Sequence, residues 1–404
     1  MSKSERADLV VIGAGTVGGW AAYFAKAGGA RKVVVLERDL IGQGASSRAS
    51  GMVRAQGGTP VTVRLGQWSI DFYKRQQALL GTDSGFRELG YIILAVNEKD
   101  ERAGKARVAM QQEAGLDVRW LSAKEAIRLN PTLATRGHRG GSYAPHDGCI
   151  DAPRNVRAYA LAMQQAGVEV CERTPCLGLR TVTAKGGSVR VTVETPDGPI
   201  ATDCVIVTGG PTLRDLGKRM GVRIPVGGAR HQVAVTEPHE AFQVERQPMV
   251  FDVAAGLYWR LEEGGLLFGM SNPDEEPGPA RAIDWPYLKQ MRHRLHRLVP
   301  ATRGLGLRKV WGATIDYTAD HLPILGPALR PDGSVIAGVI VASPGGHGMM
   351  WGPAVARAAA DLALQGKTDV VDVTDLGLNR FDAEGRSRFV EPVALPFPRM
   401  LKRA

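Results

Sequence analysis

A glycine-rich turn between two short apolar segments constrains the fold of this chain more than any other feature. The first apolar segment, residues 8–12, reads Asp-Leu-Val-Val-Ile, and residues 13–18, Gly-Ala-Gly-Thr-Val-Gly, follow it directly. Residues 19–27 are rich in alanine, and a second apolar segment, residues 32–36, ends at Glu37. This pattern predicts a buried strand, a tight turn, a helix and a second parallel strand.

Each glycine of the turn has a different physical task. Gly13 allows the tight turn, Gly15 lets a pyrophosphate approach the backbone, and Gly18 lets the helix pack on the strand. The helix N-terminus offers N–H groups to phosphates, and Glu37, 19 positions after Gly18, suits the ribose hydroxyls. An acid at this place also repels a 2′-phosphate, which argues against NADP. The predicted dinucleotide contacts here are Gly13, Gly15, Thr16, Val17, Gly18, Glu37 and Arg38.

Composition excludes several other classes of protein. With 404 residues, of which 44% are hydrophobic and 23% charged, the chain is expected to be globular, with two or three domains of about 150 residues each. No apolar window is long enough for a membrane span, and no secretory signal is expected at the polar N-terminus. The four cysteines lack metal-ligand or disulfide-scaffold spacing, so we expect no metal and a cytoplasmic location: Cys149, Cys171, Cys176 and Cys204.

The net charge of +10 is spread along the chain. Its densest cluster, residues 292–297, reads Arg-His-Arg-Leu-His-Arg. We interpret it as the solvated face of a helix, because no nucleic-acid-binding motif accompanies it. Nucleic acid is therefore not an expected partner.

Helical and strand patterns interleave along the rest of the chain, without a repeat. A strand pair is predicted over residues 86–96. The predicted helices are 101–113, 155–165, 287–298 and 353–365. The further predicted strands are 188–195, 200–208, 232–236, 257–261, 266–270 and 335–341. This interleaving predicts a nucleotide domain assembled from discontinuous segments.

Three later segments distinguish FAD from NAD. Residues 202–210 form a strand ending in Thr208 and Gly209, typical of the second nucleotide contact of flavoproteins with two dinucleotide-binding domains. Residues 167–176 resemble the strand that grips adenine, with Cys176 where valine is common. Residues 344–350, Pro-Gly-Gly-His-Gly-Met-Met, precede a helix. Such a turn directs N–H groups and a helix dipole at the flavin pyrimidine, where negative charge develops on reduction.

Together these motifs resemble the D-amino-acid oxidase superfamily of FAD enzymes, in particular the group of the sarcosine oxidase β-subunit, L-proline dehydrogenase and glycine oxidase. The similarity extends over nearly the whole chain and includes residues 44–56, 143–153 and 311–326. It implies hydride transfer from the carbon next to an amine nitrogen to flavin N5. The substrate would be an amine or an N-substituted or cyclic amino acid, and the acceptor O2 or another oxidant.

The resemblance also implies individual roles. Arg54 matches an arginine that pairs the substrate carboxylate, and Tyr258 matches a pocket tyrosine, with an ordinary core tyrosine as the alternative. His347 would lie near the flavin or only orient its loop; His231 and Arg260 are weaker pocket candidates. The further cofactor contacts implied by the family are Gly44, Ala45, Ser46, Ser47, Gly51, Met52, Cys176, Thr208, Gly209, Gly346, His347, Gly348, Met349 and Met350.

Three departures from monomeric sarcosine oxidase refine the expectation. Met350 replaces a lysine that clamps the carboxylate, as in proline dehydrogenase-like members. Leu267 replaces the lysine that promotes reaction with O2, and Ser271 its neighbouring histidine, so a dehydrogenase becomes an alternative to an oxidase. Ala313 replaces the cysteine that holds FAD covalently, which predicts non-covalent FAD.

The predicted fold is α/β, with a discontinuous Rossmann-like FAD-binding domain and a mainly antiparallel-sheet substrate domain. We assign residues 1–80, 151–225 and 311–404 to the first domain and residues 81–150 and 226–310 to the second. The alternatives are an FAD-binding electron-transfer subunit of a hetero-oligomer, a flavin monooxygenase, which lacks support from a G-D-x-x-H motif, and a nicotinamide dehydrogenase. A homo- or hetero-oligomer is compatible with all of them.

Overall fold

The two apolar segments that flank the glycine turn are neighbouring parallel strands. The computed structural model describes residues 5–183, 189–279 and 282–398. Its strands are β1 Glu5–Ile12, β2 Val33–Leu36, β3 Met52–Val53, β4 Arg87–Glu88, β5 Tyr91–Leu94, β6 Arg119–Leu121, β7 Gly141–Ala144, β8 Gly148–Cys149, β9 Glu169–Cys171, β10 Gly178–Thr183, β11 Val189–Glu194, β12 Ile200–Val207, β13 Val226–Thr236, β14 Met249–Asp252, β15 Leu257–Glu262, β16 Gly265–Ser271, β17 Leu307–Thr318, β18 Ile324–Leu329 and β19 Val335–Ser343. Its helices are α1 Thr16–Ala27, α2 Pro60–Leu80, α3 Glu98–Glu113, α4 Ala123–Leu129, α5 Ala152–Ala166, α6 Leu213–Arg219, α7 Trp285–Leu298 and α8 Gly348–Gln365. The predicted strand over 188–195 corresponds to β11; Ser188 lies outside the described residues.

The first sheet carries the glycine turn. Its strand order is β10-β11-β12-β1-β2-β9, and β19, with β18 beside it, also pairs with β12. The pairs β12–β1, β1–β2, β2–β9 and β12–β19 are parallel. Because β1, β2 and the first turn are contiguous in sequence, the turn lies at the carboxyl edge of the sheet, where ligands bind in open α/β folds.

Helices α1, α5 and α8 cover one face of this sheet around a core of large aromatic side chains. Trp20, Tyr159 and Trp351 are fully buried there. A Cβ atom at Gly19 would lie 2.4 Å from the Tyr159 ring, so this glycine permits the close packing of α1 on α5. Among the described helices, none is both long and apolar enough to cross a bilayer.

The second sheet is antiparallel except for one pair. Its order is β17-β13-β16-β15-β14-β5-β7-β6, and only β14 and β5 run parallel within the described part. The predicted pair over residues 86–96 is two strands that do not pair with each other. Instead, β4 joins β3 and β8 in a small sheet, whereas β5 pairs with β14 and β7. Alternation predicted the extended conformation, but the partners come from distant residues.

Strand β17 belongs to the second sheet along its whole length. It pairs with β13 from Val226–Thr318 to Thr236–Leu307. The predicted domain boundary before Trp311 divides this strand, so we propose that the boundary lies after Thr318. The pattern of apolar residues cannot locate such a boundary, because both sheets use similar buried strands.

Helix α8 begins five residues before the predicted start at Pro353. Proline lacks an N–H group and cannot bond the carbonyl of Met349, four residues earlier. The Tyr73 hydroxyl donates to that carbonyl at 2.9 Å instead. A hydrogen bond from α2 therefore stabilises the first turn of α8. The proline alone would argue against a helix that starts before residue 353.

Candidate active site

A cavity of about 880 Å³ extends from the glycine turn to the second sheet. This volume is within the range of pockets that enclose small molecules and cofactors. The predicted residues that line it are Gly13, Gly15, Thr16, Val17, Gly18, Glu37, Arg38, Gly44, Ala45, Ser46, Met52, Arg54, Cys176, Thr208, Gly209, His231, Tyr258, Gly346, His347, Gly348, Met349 and Met350. Folding thus brings segments from the whole chain to one cavity.

The glycine turn has the close contacts that its motif requires. Gly13 has a φ of 99°, which favours glycine. A Cβ atom at Gly18 would lie 1.8 Å from the carbonyl oxygen of Gly13, and one at Gly13 would lie 2.8 Å from Oγ1 of Thr208. Any larger residue at Gly18 would push the helix away from the turn. The geometry therefore explains both glycines.

Side chains around the turn hold the N-terminus of α1 toward the cavity. The Ser46 hydroxyl oxygen accepts from the backbone N–H of Thr16 at 2.9 Å. The Glu37 carboxylate accepts from the N–H groups of Ala14 at 2.7 Å and Asp39 at 2.8 Å. The first turn of a helix has amide groups without intrahelical acceptors, which suit a phosphate. The residues of this end fit an extended dinucleotide such as FAD.

Some predicted cofactor residues do not line the cavity. Ser47 and Gly51 are absent from its described lining, whereas Ser46 and Met52 belong to it. A Cβ atom at Gly51 would lie 2.0 Å from the Ile150 carbonyl oxygen, and φ is 76° there. The structure thus explains Gly51 by close packing, and its predicted flavin contact stays a prediction, as does that of Ser47.

The second sheet holds the segment before Met52 by its backbone. Trp311 Nε1 donates to the Arg48 carbonyl at 2.9 Å, and Arg260 Nε donates to the Ser50 carbonyl at 3.1 Å. Arg260 also pairs with Glu262 and does not belong to the described cavity lining. It therefore orients this loop rather than facing the cavity.

The N-terminus of α8 points at the cavity through His347. This residue immediately precedes the helix, is 5% exposed and packs against Trp351 with ring centres 4.2 Å apart. Its Nδ1 atom is buried and has no partner in the described chain. Burial, with the nearby charge of Arg54, holds the His347 pKa well below its usual value. The ring is thus neutral at neutral pH.

Arg54 lines the same cavity as the glycine turn and lies beside the second sheet. Its side chain is 3% exposed, and its terminal nitrogens donate to the backbone carbonyls of Gln56 and Val393. Its guanidinium carbon lies 5.8 Å from the centre of the Phe251 ring. No carboxylate of residues 5–183, 189–279 and 282–398 forms an ion pair with it. A guanidinium has five N–H donors, so three remain for a ligand.

Two buried carboxyl groups lie near this cation. Burial raises the pKa of Asp147 to about 6, although hydrogen bonds from Ala55 and Gln56 and the Arg54 charge lower it in part. Burial also raises the pKa of Glu391, and the Arg54 charge again opposes that effect. The Arg54 charge thus favours the ionised forms of two buried carboxyl groups, in addition to lining the cavity.

A buried hydrogen-bonded chain orients Tyr258. His231 Nδ1 lies 2.8 Å from the Ser271 hydroxyl oxygen, and its Nε2 atom bonds the Tyr258 hydroxyl. Burial lowers the pKa of His231 to about 4 and raises that of Tyr258. At neutral pH both side chains are therefore uncharged. His231 and Tyr258 line the cavity, and Ser271 supports them from behind.

Three positions that depart from sarcosine oxidase differ in their surroundings. Ala313 and Met350 line the cavity, so neither a thiol nor an ammonium group is present at these places. Leu267 is 2% exposed and packs in an apolar cluster with Tyr258. The structure thus has apolar side chains at all three positions, and their correspondence to residues of sarcosine oxidase stays a prediction.

Sequence reasoning missed several residues of the wall. Phe251 and Leu395 line the cavity, Phe251 lies beside Arg54, and the Val393 carbonyl accepts from Arg54. None of the predicted strands covers residues 249–252, which form β14 and carry Phe251. Residues 391–398 form no helix or strand, so no periodic signal marks them.

A profile of the FAD dependent oxidoreductase family matches residues 8–362. The chain is 27% identical over 392 residues to 4-methylaminobutanoate oxidase (formaldehyde-forming) of Paenarthrobacter nicotinovorans, which covers 94% of this chain and 46% of that protein. It is 28% identical over 390 residues to glycine oxidase of Geobacillus kaustophilus (strain HTA426). This match covers 93% of this chain and 98% of that protein. The chain thus spans less than half the length of the first relative and nearly all of the second.

The crystal structure of L-proline dehydrogenase from P. horikoshii is similar in fold. The TM-score is 0.81 at 24% identity, over 91% of this chain and 96% of that chain. This similarity, with the parallel and antiparallel sheets described above, confirms the predicted α/β fold class.

Proposed function

Because the chain belongs to the family of FAD-dependent oxidoreductases, we propose that it oxidises the C–N bond of a small amine or amino acid whose carboxylate contacts Arg54. The match of the family profile to residues 8–362 confirms the predicted family. One observation carries the proposal: the same cavity joins a dinucleotide-binding turn at residues 13–18 to a buried guanidinium and uncharged polar side chains. Such a cavity brings a cofactor and a small anionic substrate together.

An N-substituted or cyclic amino acid is the substrate class that we favour. Its carboxylate would use the three N–H donors that Arg54 does not give to carbonyls, since guanidinium matches a carboxylate fork. The aromatic ring of Phe251 and the phenol of Tyr258 line the space beside it. The name of one relative, 4-methylaminobutanoate oxidase, agrees with an N-substituted amino acid, whereas glycine oxidase is named for an amino acid without a substituent on nitrogen.

The residues around the substrate favour an uncharged amine. Arg54 is a buried cation, and His231 and His347 are neutral because burial lowers the pKa of each. A second positive charge on the amine nitrogen would be repelled and poorly solvated there. When bound, FAD supplies the acceptor for the hydride that leaves the carbon next to this nitrogen. The protein orients the substrate and excludes water.

We propose that FAD is held without a covalent bond, because Ala313 offers no nucleophile at the position that matches the FAD-linked cysteine of monomeric sarcosine oxidase. Acid precipitation should release all the flavin into the supernatant. Yellow colour that stays with the precipitate would contradict this assignment. Of the described cysteines, only Cys176 lines the cavity, at its dinucleotide end, where burial raises the thiol pKa to about 11.

The acceptor and the cellular context are further proposals. Leu267, an apolar residue, favours a dehydrogenase that uses an acceptor other than O2, with an oxidase as the alternative. The four cysteines form no disulfide within the described residues, and two of them are buried, which supports our proposal of a reducing cytoplasm. A homo- or hetero-oligomer is compatible with the described surface, and no nucleic-acid partner is proposed.

The decisive experiment is an anaerobic absorbance spectrum of the purified protein with a panel of amino acids and N-methyl amines. We expect a yellow protein that one of these compounds bleaches, and readmission of air then separates oxidase from dehydrogenase. A yellow protein that none of them bleaches would contradict the proposed substrate class and favour an electron-transfer subunit. A colourless protein that does not take up added FAD would contradict the cofactor assignment.

A further inference from the structure

A segment near the end of the described chain, residues 391–397, contributes Leu395 to the cavity wall and a backbone carbonyl to Arg54; we name it the C-terminal strap. Its first residue, Glu391, is 1% exposed. The Glu391 carboxylate accepts from the N–H of Gly58 at 2.8 Å, the Thr62 hydroxyl at 2.7 Å and the N–H of Val393 at 3.0 Å. Its backbone N–H donates to the Asp320 carbonyl at 2.8 Å. Several bonds therefore attach this end of the strap to both neighbouring segments.

The other end of the strap is attached by packing. Phe397 is 6% exposed, and its ring stacks on Tyr317 with centres 5.0 Å apart. A Cβ atom at Gly346 would lie 2.8 Å from the Phe397 ring, and one at Gly256 would lie 2.1 Å from Cδ of Pro396. Such short approaches require glycine at both places. The strap is therefore in close contact with the rest of the protein along its length.

The middle of the strap faces the cavity. The Val393 carbonyl accepts from Arg54. The Val393 side chain is fully buried in a cluster that contains Met52 and Tyr258. Leu395 lines the cavity and packs against the same cluster. The guanidinium thus takes its orientation in part from a residue 339 positions away in sequence.

We propose that the strap both orients Arg54 and limits the size of the group that fits beside it. The Val393 carbonyl, held by the Glu391 anchor, positions the guanidinium, and the Leu395 side chain closes the adjacent space. Val393 and Glu391 act through Arg54 and are positioning residues, whereas Leu395 sets specificity. This inference rests on the proposed function, in which Arg54 binds a carboxylate.

The test measures binding rather than turnover. Acetate, benzoate and 2-naphthoate are titrated into the FAD-loaded protein, and dissociation constants are read from changes in flavin absorbance. Leu395→Ala should raise the affinity for 2-naphthoate relative to acetate by about 10-fold or more, and Leu395→Phe should lower that ratio, since one or two methylenes in an apolar pocket have effects of this size. Val390→Ala, at a residue 59% exposed just before the strap, is the matched control.

The role of Glu391 is tested by comparing the binding of a charged ligand with that of an uncharged analogue. Glu391→Ala should weaken benzoate binding about 10-fold or more because a misplaced binding group loses affinity steeply. Binding of benzamide, the uncharged analogue, should change little. Glu391→Gln should restore benzoate binding, because its amide oxygen can still accept from Gly58 and Val393. If Glu391→Ala does not fold, Glu391→Asp, which shortens the side chain by one methylene, takes its place in the comparison of benzoate with benzamide, and the Leu395 variants decide the specificity role.

The outcomes distinguish this inference from the proposed function. An unchanged size ranking in both Leu395 variants overturns the specificity role, and equal losses of benzoate and benzamide in the Glu391→Ala variant overturn the positioning role. If Arg54→Ala abolishes carboxylate binding while every strap variant binds as the wild type does, only the strap inference fails. A wild-type holoprotein that binds none of the carboxylates overturns both proposals.

Discussion

Replacing Arg54 by alanine should weaken carboxylate binding without releasing FAD. The guanidinium bonds the carbonyls of Gln56 and Val393 rather than the dinucleotide turn, so the flavin content should stay that of the wild type. Loss of a charge-assisted contact with a carboxylate costs about 2–4 kcal/mol, or roughly 30–1000-fold in affinity. The KM for a carboxylated amine should rise by that factor, and an unchanged KM would refute the assignment.

The same substitution should have a pH-dependent cost in stability. Burial raises the Asp147 pKa from 3.8 to about 6, which corresponds to about 3 kcal/mol at about 1.4 kcal/mol per tenfold change in acidity. Because the folded-state pKa is raised, this contribution to stability is complete below about pH 4 and is lost as the pH rises through 6. Arg54 lowers the Asp147 pKa, so its removal raises that pKa further and enlarges the loss.

Urea unfolding of the holoprotein at pH 5 and pH 8 measures this effect. The difference in free energy of unfolding between wild type and Arg54→Ala should be larger at pH 8, where Asp147 is ionised in the folded protein. Glu391, whose pKa burial also raises, acts in the same direction. The pH-dependent part should shrink in an Asp147→Asn background. A cost that is equal at both pH values, or smaller at pH 8, would refute the electrostatic reasoning.

Two further substitutions test the glycine turn and the start of α8. Gly18→Ala places a Cβ atom 1.8 Å from the Gly13 carbonyl oxygen, so we expect a protein that binds FAD much more weakly; flavin content and a fluorescence titration measure this, and wild-type affinity would contradict it. Tyr73→Phe removes the hydroxyl that bonds the Met349 carbonyl and should lower the free energy of unfolding by about 1–3 kcal/mol. Tyr23→Phe, at a partly buried tyrosine of α1, is the matched control, and equal effects of the two would argue against the hydrogen bond.

The dinucleotide end of the site could be predicted because its determinants are local. The turn at residues 13–18 and the acid at Glu37 belong to one continuous strand–helix–strand segment, so their spacing carries the geometry. The close approach of Gly18 to the Gly13 carbonyl is the physical reason for a glycine that the motif had already indicated. Family resemblance then placed Arg54, Tyr258 and His347 in the pocket, and all three line the same cavity.

The surroundings of those side chains depended on the tertiary structure. The predicted strands include Tyr258 but stop one residue short of His231 and Ser271, and only the antiparallel pairing of β13 with β16 and of β16 with β15 joins the three in one hydrogen-bonded chain. Likewise, periodicity predicted a helix from residue 353, whereas a hydroxyl from α2 allows α8 to start earlier. Hydrogen bonds between distant segments leave no local pattern in a sequence.

For Arg54, the sequence predicted the chemical group and the tertiary structure decided its surroundings. The sequence and its family resemblance indicated a guanidinium for a carboxylate. The structure adds that the Val393 carbonyl accepts from this guanidinium and that Leu395 lines the same cavity. Sequence alone determined the local turn and the kinds of chemical group available, because both depend on short-range spacing and residue type. Tertiary structure decided which groups meet and which remain uncharged, because packing and loss of hydration depend on neighbours hundreds of residues apart.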